Sequence, residues 1–285
     1  MQNSQTIFVT GATGNQGGAT ARHLSGKGFR VKALCRNTGS PAALELKKLN
    51  VELVQGDLDD PSTFRDKIQG VDGVFSVQVY GNSRREKKQG IDLADTAREA
   101  GVKHFVYASV MGADANTGIP HWESKNVIEN HIKQTGLPYT IIRPSFFFEN
   151  YLLPPVKSRL LKGKLVTPTD RKKVQESIST SDVGRIATTI FMNPGKYIGK
   201  TITLASEKMD MEEVAAVFSK VLGKNIRYQK LPGLITRLAM GKDLHKMFSW
   251  LNKNDALFVK DMAEVKNEFP GMLGLEEWIR REFIS

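Results

Sequence analysis

Three glycines at three-residue intervals, Gly11, Gly14 and Gly17, stand near the start of this 285-residue chain. They follow the short apolar run Ile7, Phe8, Val9 and Thr10, and they precede a helix-compatible stretch over residues 19–28. Strand, glycine turn and helix in that order permit a tight turn and close backbone approach to a pyrophosphate. They also leave a helix N-terminus whose amide groups attract phosphate charge. The spacing is G-x-x-G-x-x-G rather than the commoner G-x-G-x-x-G. Arg36 lies 19 positions after Gly17, at the end of the next strand-like run. A dinucleotide site selective for NAD carries an acidic residue there for the ribose 2′-hydroxyl. A guanidinium, with Lys32 on the same strand face, pairs instead with a 2′-phosphate, so the position predicts NADP(H) in preference to NAD(H).

Other candidates fall at the ends of later strand-like runs. Asp57, in Gly56-Asp57-Leu58, either accepts from an adenine amino group or caps the following turn. Gln78 closes the fourth strand-like run, where its amide either approaches a ligand's phosphates or ribose or serves as an ordinary loop residue. Phe146, Phe147 and Phe148 are either core residues or the wall of a pocket for a flat aromatic molecule. Cys35, the single cysteine, is expected to be buried in its strand with no resolving partner, which excludes a disulfide framework and a multi-cysteine metal site. No metal centre is expected.

These residues need a scaffold that brings strand ends together, and the first half of the chain alternates strand and helix signals accordingly. Strands are predicted over residues 7–10, 30–36, 51–54, 74–79, 104–109 and 139–142. Helices are predicted over 41–49, 61–68, 85–100 and 122–134. The pattern predicts an α/β fold, a Rossmann doubly wound parallel sheet, with a smaller, interwoven C-terminal α+β substrate region. The dinucleotide-binding core is placed at 1–150 and the substrate or partner region mainly at 151–285, with about 178–205 returning to the core. Ser181-Asp182 can cap a helix running to Met192, a strand follows at 201–205, and Asp210 with Glu213 forms a capping-box-like start to a helix ending near Gly223. The basic stretch from Pro154-Pro155 to Lys173 reads as an insertion outside the sheet, and 225–229 is strand-like.

Composition narrows the class. Apolar residues at 40% and charged residues at 25% are ordinary for a globular protein, and no run approaches the ~20 apolar residues of a membrane span. The first ten residues enter a strand with no signal-peptide pattern, so a reducing, cytoplasmic setting is expected. Most of the net charge of +11 lies beyond residue 150, but the cations are not interleaved with stacking aromatics. A solvated face is therefore expected rather than a nucleic-acid interface.

Four segments together resemble a known family: GATGNQGG (residues 11–18), GDLDD (56–60), H-x-x-x-K (121–125) and IIRPSFFFEN (141–150). They look like those of the NmrA-like group, atypical relatives of the short-chain dehydrogenases/reductases. The resemblance implies NADP(H) on a Rossmann fold. By position it implies that Gly11, Ala12, Thr13, Gly14, Asn15, Gln16 and Gly17 form the pyrophosphate loop and that Arg36 faces the 2′-phosphate. Asp57 and Leu58 would border the adenine, and Gln78, Val79 and Tyr80 the ribose-phosphate path. Lys125 would contact the nicotinamide ribose, with Phe146, Phe147, Phe148 and Glu149 walling the nicotinamide end.

The wider superfamily uses Ser, Tyr and Lys, with Tyr four residues before Lys. Here Ser109 and Lys125 are present, and His121 stands where the Tyr would be, one helical turn from Lys125 on the same face. A phenol beside an ammonium is an acid poised for carbonyl reduction; an imidazole is a different acid. His121 is then either a substituted proton donor or simply the start of a helix, and Lys125 a cofactor ligand and a candidate donor. The resemblance implies an NAD(P)H-dependent reductase of a small electrophile such as a quinone. The alternative is a non-catalytic NADP(H) sensor that binds a regulatory protein partner.

Overall fold

Buried β-branched and aromatic side chains build the first strands, and glycines turn the chain between them. The computed structural model describes residues 5–284; the first four residues of the predicted dinucleotide-binding core and Ser285 lie outside the described residues. In chain order the elements are β1 (Thr6–Val9), α1 (Asn15–Gly26), β2 (Arg30–Cys35), α2 (Pro41–Lys48), β3 (Glu52–Gln55), α3 (Arg65–Ile68), β4 (Gly73–Ser76), α4 (Ser83–Glu99), β5 (His104–Ala108), α5 (Pro120–Gln134) and β6 (Tyr139–Pro144). After β7 (Phe146–Phe147), α6 (Pro154–Leu161), β8 (Lys164–Thr167) and β9 (Gln175–Ile178), the chain forms α7 (Thr180–Met192), α8 (Pro194–Tyr197) and β10 (Thr201–Leu204). It ends with β11 (Glu207–Met209), α9 (Met211–Leu222), β12 (Arg227–Lys230), α10 (Gly233–Lys253), α11 (Met262–Glu268) and α12 (Leu275–Phe283).

The main sheet has seven strands in the order β10-β6-β5-β4-β1-β2-β3, and the pairings from β3 through to β6 are parallel. On one side of it Phe8, Val74, Phe105 and Ile141 bury themselves against Leu93, Ala94 and Ala97 of α4 and Ile128 and Ile132 of α5. Each such side chain contributes about 1.5–3 kcal/mol by leaving water. The strand order reverses between β1 and β4, and ligands of doubly wound sheets bind beyond the carboxyl ends of the strands at such a point. Thr10 ties the two ends together. Its amide donates to Phe75 O at 3.0 Å, its hydroxyl donates to Val77 O at 2.9 Å, and the same oxygen accepts from Val77 N at 2.9 Å.

The turn that follows has no room for side chains. Gly11 adopts φ +59°, and a Cβ there would come within 2.6 Å of Val77 Cγ1. A Cβ on Gly17 would lie 2.4 Å from the carbonyl oxygens of both Gly11 and Thr10. Helix α1 begins at Asn15, four residues earlier than the sequence pattern indicates, so the second half of the glycine loop is the first turn of the helix. Other boundaries shift less. The third and fourth strands end at Gln55 and Ser76, which places Asp57 and Gln78 two residues beyond them. The helix predicted over 61–68 is split, because Asp60 caps a short 3-10 turn at Pro61–Thr63 before α3 begins.

The chain divides into two compact units. The first holds the chain up to Asp114, Pro120–Arg143 and Thr180–Ile202; the second holds Ala115–Ile119, Pro144–Ser179 and the chain from Thr203 onward. The second unit contains a three-stranded sheet, β11-β9-β7, and a parallel pair, β8 with β12. Of these strands the sequence pattern reveals only β12; β7, β8, β9 and β11 lack sustained alternation. The unit's core gathers Phe148, Tyr151, Phe218 and Trp278, with Asp210 and Glu213 closing a capping box at the start of α9. Glu176, fully buried in β9, accepts from the amides of Phe258 and Val259 and so pins the stretch after α10. Helix α10 bends at Gly241. Among the described residues no helix is long and apolar enough to cross a membrane.

Two stability predictions follow from the first unit. Gly17→Ala forces two backbone carbonyls apart and is expected to cost about 3 kcal/mol, lowering the urea midpoint. Gly26→Ala, where a Cβ meets nothing within 4 Å, serves as the neutral control. The second concerns His104, whose Nε2 bonds Thr140 Oγ1 at 2.8 Å while the threonine hydroxyl donates to Tyr197 O at 2.9 Å. The ring must then carry its proton on Nε2, and Nδ1 is buried without a partner. Burial pushes the imidazole down to about 4. The unfolded chain therefore binds a proton that the folded one refuses, so stability is level above pH ~6.5 and falls as pH drops toward 4. Urea unfolding at pH 7 and pH 5 should show this loss, and His104→Gln should reduce it, leaving the part due to His23, whose imidazole burial also pushes down.

Candidate functional site

The carboxyl edge of the main sheet collects most of the residues that the sequence singles out. At the end of β1, Gly14 caps α1 with no side-chain cap, and no acidic residue occupies the first helical turn. The amide groups there meet no competing negative charge, which suits a phosphate. Two amide oxygens nearby in the fold's logic are orphans: Gln16 Oε1, in the first turn of α1, and Gln78 Oε1, beyond β4, are buried without hydrogen-bond partners. Gln78 Nε2 donates to Ser76 Oγ at 2.8 Å, which fixes the amide and leaves its oxygen for a donor such as a ribose hydroxyl. Arg36 stands exposed one residue past the end of β2. The glycine cradle and the orphan acceptors fit a dinucleotide.

Loops after β3 and β4 are knitted by the start of α4. Asp57 accepts from Asp59 N at 3.0 Å and so fills the turn-capping role. Leu58 buries its side chain in the main core. Asp59 accepts from Gln89 Nε2 at 2.8 Å and pairs with Arg85, and these bonds hold its carboxyl below the usual range. Gln89 Oε1 accepts from Val79 N at 3.4 Å, so one side chain links both loops. Val79 and Tyr80 are exposed.

His121 and Lys125 lie one turn apart near the start of α5, in different surroundings. The His121 ring is buried, edge-on to Tyr80 with centroids 5.4 Å apart. Lys125 Nζ pairs with Glu86 Oε1 at 3.0 Å and approaches Ala108 O, at the carboxyl end of β5, at 3.4 Å. Its ammonium sits 5.6 Å from the centre of the Tyr107 ring. Tyr107 is fully buried, its hydroxyl has no partner, and burial with the Glu86 and Glu129 carboxylates pushes its ionisation far up. It is a neutral phenol at any physiological pH.

Ser109 is otherwise engaged. Its hydroxyl donates to Glu129 Oε1 at 2.6 Å, and Glu129 also takes Arg143 Nε at 2.9 Å, while Arg143 reaches Asp114 at 2.7 Å. This buried network pins β5, α5 and β6 to one another. Glu86, Gln89 and Glu129 are absent from the candidates that the sequence supplies. A signal for the first two does exist: Glu86, Gln89, Gly90 and Leu93 share the buried stripe of α4, where polar side chains are out of place.

Phe146, Phe147, Phe148 and Glu149 belong to the second unit. Phe146 and Phe147 form β7, paired with β9. Phe148 is buried against Trp278, whose indole Nε1 donates to Glu149 Oε1 at 3.3 Å. Many of the cations that follow are tied up in surface pairs, among them Arg171 with Glu212, Lys173 with Asp255 and Lys220 with Glu276. Such pairs are worth little to stability, but they leave less free charge for a polyanion.

Comparison with known proteins agrees with this architecture. An NmrA-like family protein of Dictyostelium discoideum is 32% identical over 242 residues, covering 79% of this chain and 80% of that protein. An NAD(P)H azoreductase of Xenophilus azovorans is 30% identical over 224 residues, covering 78% and 76%. The crystal structure of NmrA, a negative transcriptional regulator, in complex with NADP superimposes with a TM-score of 0.81 at 24% identity, over 99% of this chain and 96% of that one, and shows the common fold. The NmrA-like family model matches residues 3–279, and the chain belongs to the NmrA-like family.

Proposed function

We propose that this protein binds NADP(H) along the carboxyl edge of its main sheet and reduces a small electrophile such as a quinone. One observation carries the reading: the glycine cradle after β1, Arg36 after β2 and the Lys125 ammonium at the end of β5 all stand on the same edge of one parallel sheet. In this reading the loop from Gly11 to Gly17 and the first turn of α1 hold the pyrophosphate. Arg36 takes the 2′-phosphate, Asp57 and Leu58 border the adenine, and Gln78, Val79 and Tyr80 follow the ribose-phosphate path. Lys125 donates to the nicotinamide ribose. The nicotinamide, when bound, supplies the hydride; the protein supplies orientation and charge. The azoreductase among the relatives supports the same class of reaction.

Acid help is the weak part of the constellation. His121 replaces the superfamily's tyrosine, and the Ser109 hydroxyl is committed to Glu129. That arrangement favours acceptors whose reduced oxyanion is stabilised by an aromatic ring, and so a quinone over a simple ketone. It equally favours the second reading, a protein that senses NADP(H) without turnover and changes its affinity for a protein partner. The NmrA regulator supports that alternative. A sensor requires one nucleotide state to bind one conformation better than the other.

Cofactor choice is tested at Arg36. NADPH is expected to bind more tightly than NADH, and Arg36→Asp to weaken NADPH by about 10- to 100-fold through loss of a charge-assisted bond. Equal affinities of the unmodified protein for both nucleotides in a calorimetric titration would remove the assignment. Turnover is tested by following NADPH oxidation across quinones, azo compounds, aldehydes and ketones. Lys125→Ala should weaken NADPH binding about tenfold and lower activity with it. His121→Ala should slow ketone reduction more than quinone reduction while leaving NADPH affinity intact. Tight NADPH binding with no oxidation by any acceptor would favour the sensor.

A further inference from the structure

Glu86 is a buried carboxylate with no role in the superfamily's Ser-Tyr-Lys relay, and its partners are informative. It lies on α4 with its side chain 2% exposed, accepts from the Ser124 hydroxyl and pairs with the Lys125 ammonium at 3.0 Å, both partners being on α5. A buried carboxylate is tolerated only when it is paired and hydrogen-bonded, and here both conditions are met by consecutive residues of one helix. The two helices approach closely where a glycine of α4 receives a side chain of α5. A Cβ built on Gly90 of α4 would come within 2.6 Å of Ile128 of α5, so the helices are in close contact one turn beyond the ion pair. Ala108 O, at 3.4 Å, supplies the second acceptor for the same ammonium. Lys125 has three N–H donors, and the ion pair with Glu86 and the Ala108 O contact do not use them all.

We propose that Glu86 is the positioning residue for Lys125: with Ala108 O it fixes the ammonium at the end of β5 and leaves it a donor for the nicotinamide ribose. The inference rests on the reading of Lys125 as a ribose ligand. A long lysine side chain loses much rotamer freedom on binding a ligand; one already clamped at a buried acid has lost it on folding, so the ligand contact costs less. Ser124 serves the same end by occupying the other carboxylate oxygen, which leaves Oε1 to the lysine.

The test compares two ligands, NADPH and 2′,5′-ADP, which carries the 2′-phosphate but lacks the nicotinamide ribose. Glu86→Gln keeps the shape and removes the charge; it should weaken NADPH about tenfold and leave 2′,5′-ADP unchanged. Glu86→Asp should fall between the two, and it carries the same comparison if the glutamine variant does not fold. On a Lys125→Ala background Glu86→Gln should cost nothing further, because the group it positions is gone. Equal weakening of both ligands would mean a merely structural role and would overturn the proposal. So would undiminished NADPH binding by Glu86→Gln alongside a loss in Lys125→Ala. If Lys125→Ala itself bound NADPH normally, the ribose reading would fall, and the positioning role with it.

Discussion

The packing of α1 onto the end of β1 is the constraint on which the rest of the first unit depends. Gly17 lies so close to the carbonyl oxygens of Thr10 and Gly11 that a single methyl group would collide with both. That contact turns the chain directly from strand to helix, so the helix begins inside the glycine loop and its first amides face outward from the sheet edge. Thr10 completes the arrangement by bonding both the donor and the acceptor of Val77. The two strands that flank the reversal of sheet order are thereby tied together at their carboxyl ends, and the loops that follow them start from fixed points. The turn at Gly17 owes its shape to backbone, which does not relax as side chains do.

Two buried carboxylates on and beside α5 divide the remaining work. Glu129 gathers Ser109, Arg143 and Lys133 and serves the framework, drawing in the hydroxyl that the wider superfamily leaves free for chemistry. Glu86 gathers Ser124 and Lys125 and keeps a cation at the edge. Tyr107 lies between the two acids, and their combined field together with burial keeps its phenol from ionising. The tyrosine that stands nearest the lysine is therefore no substitute for the one that His121 replaces. Its hydroxyl is both neutral and fully enclosed, whereas a proton donor must meet its acceptor.

The second unit is organised by aromatic packing. Tyr151 and Phe148 lie between Phe218 and Trp278, and the Trp278 indole finds its acceptor in Glu149. The run Phe146, Phe147 and Phe148 that reads as either core or pocket wall is divided accordingly: the first two pair as a strand, and the third is core. Its positive charge is distributed among surface pairs with Asp and Glu, in keeping with a solvated face.

The sequence by itself determined the parallel α/β class, the order of the first six strands, the glycine loop, and the placing of His121 and Lys125 on one helical face. Each of these is written in local terms, in periodicity, turn chemistry and the spacing of residues along a single element. It did not determine where α1 starts, because the glycine loop is helical only through its contact with the carbonyls of β1. Nor did it reveal β7, β8, β9 and β11 of the second unit, whose residues acquire strand geometry from partners distant in the chain. Glu86 meets Lys125 across 39 positions, and Gln89 bridges Asp59 and Val79 on two different loops. A carboxylate on a buried helical stripe announces that it needs a partner. Which cation answers is decided only when two helices close on each other at Gly90 and Ile128, since burial makes pairing compulsory and packing brings the Lys125 ammonium to 3.0 Å.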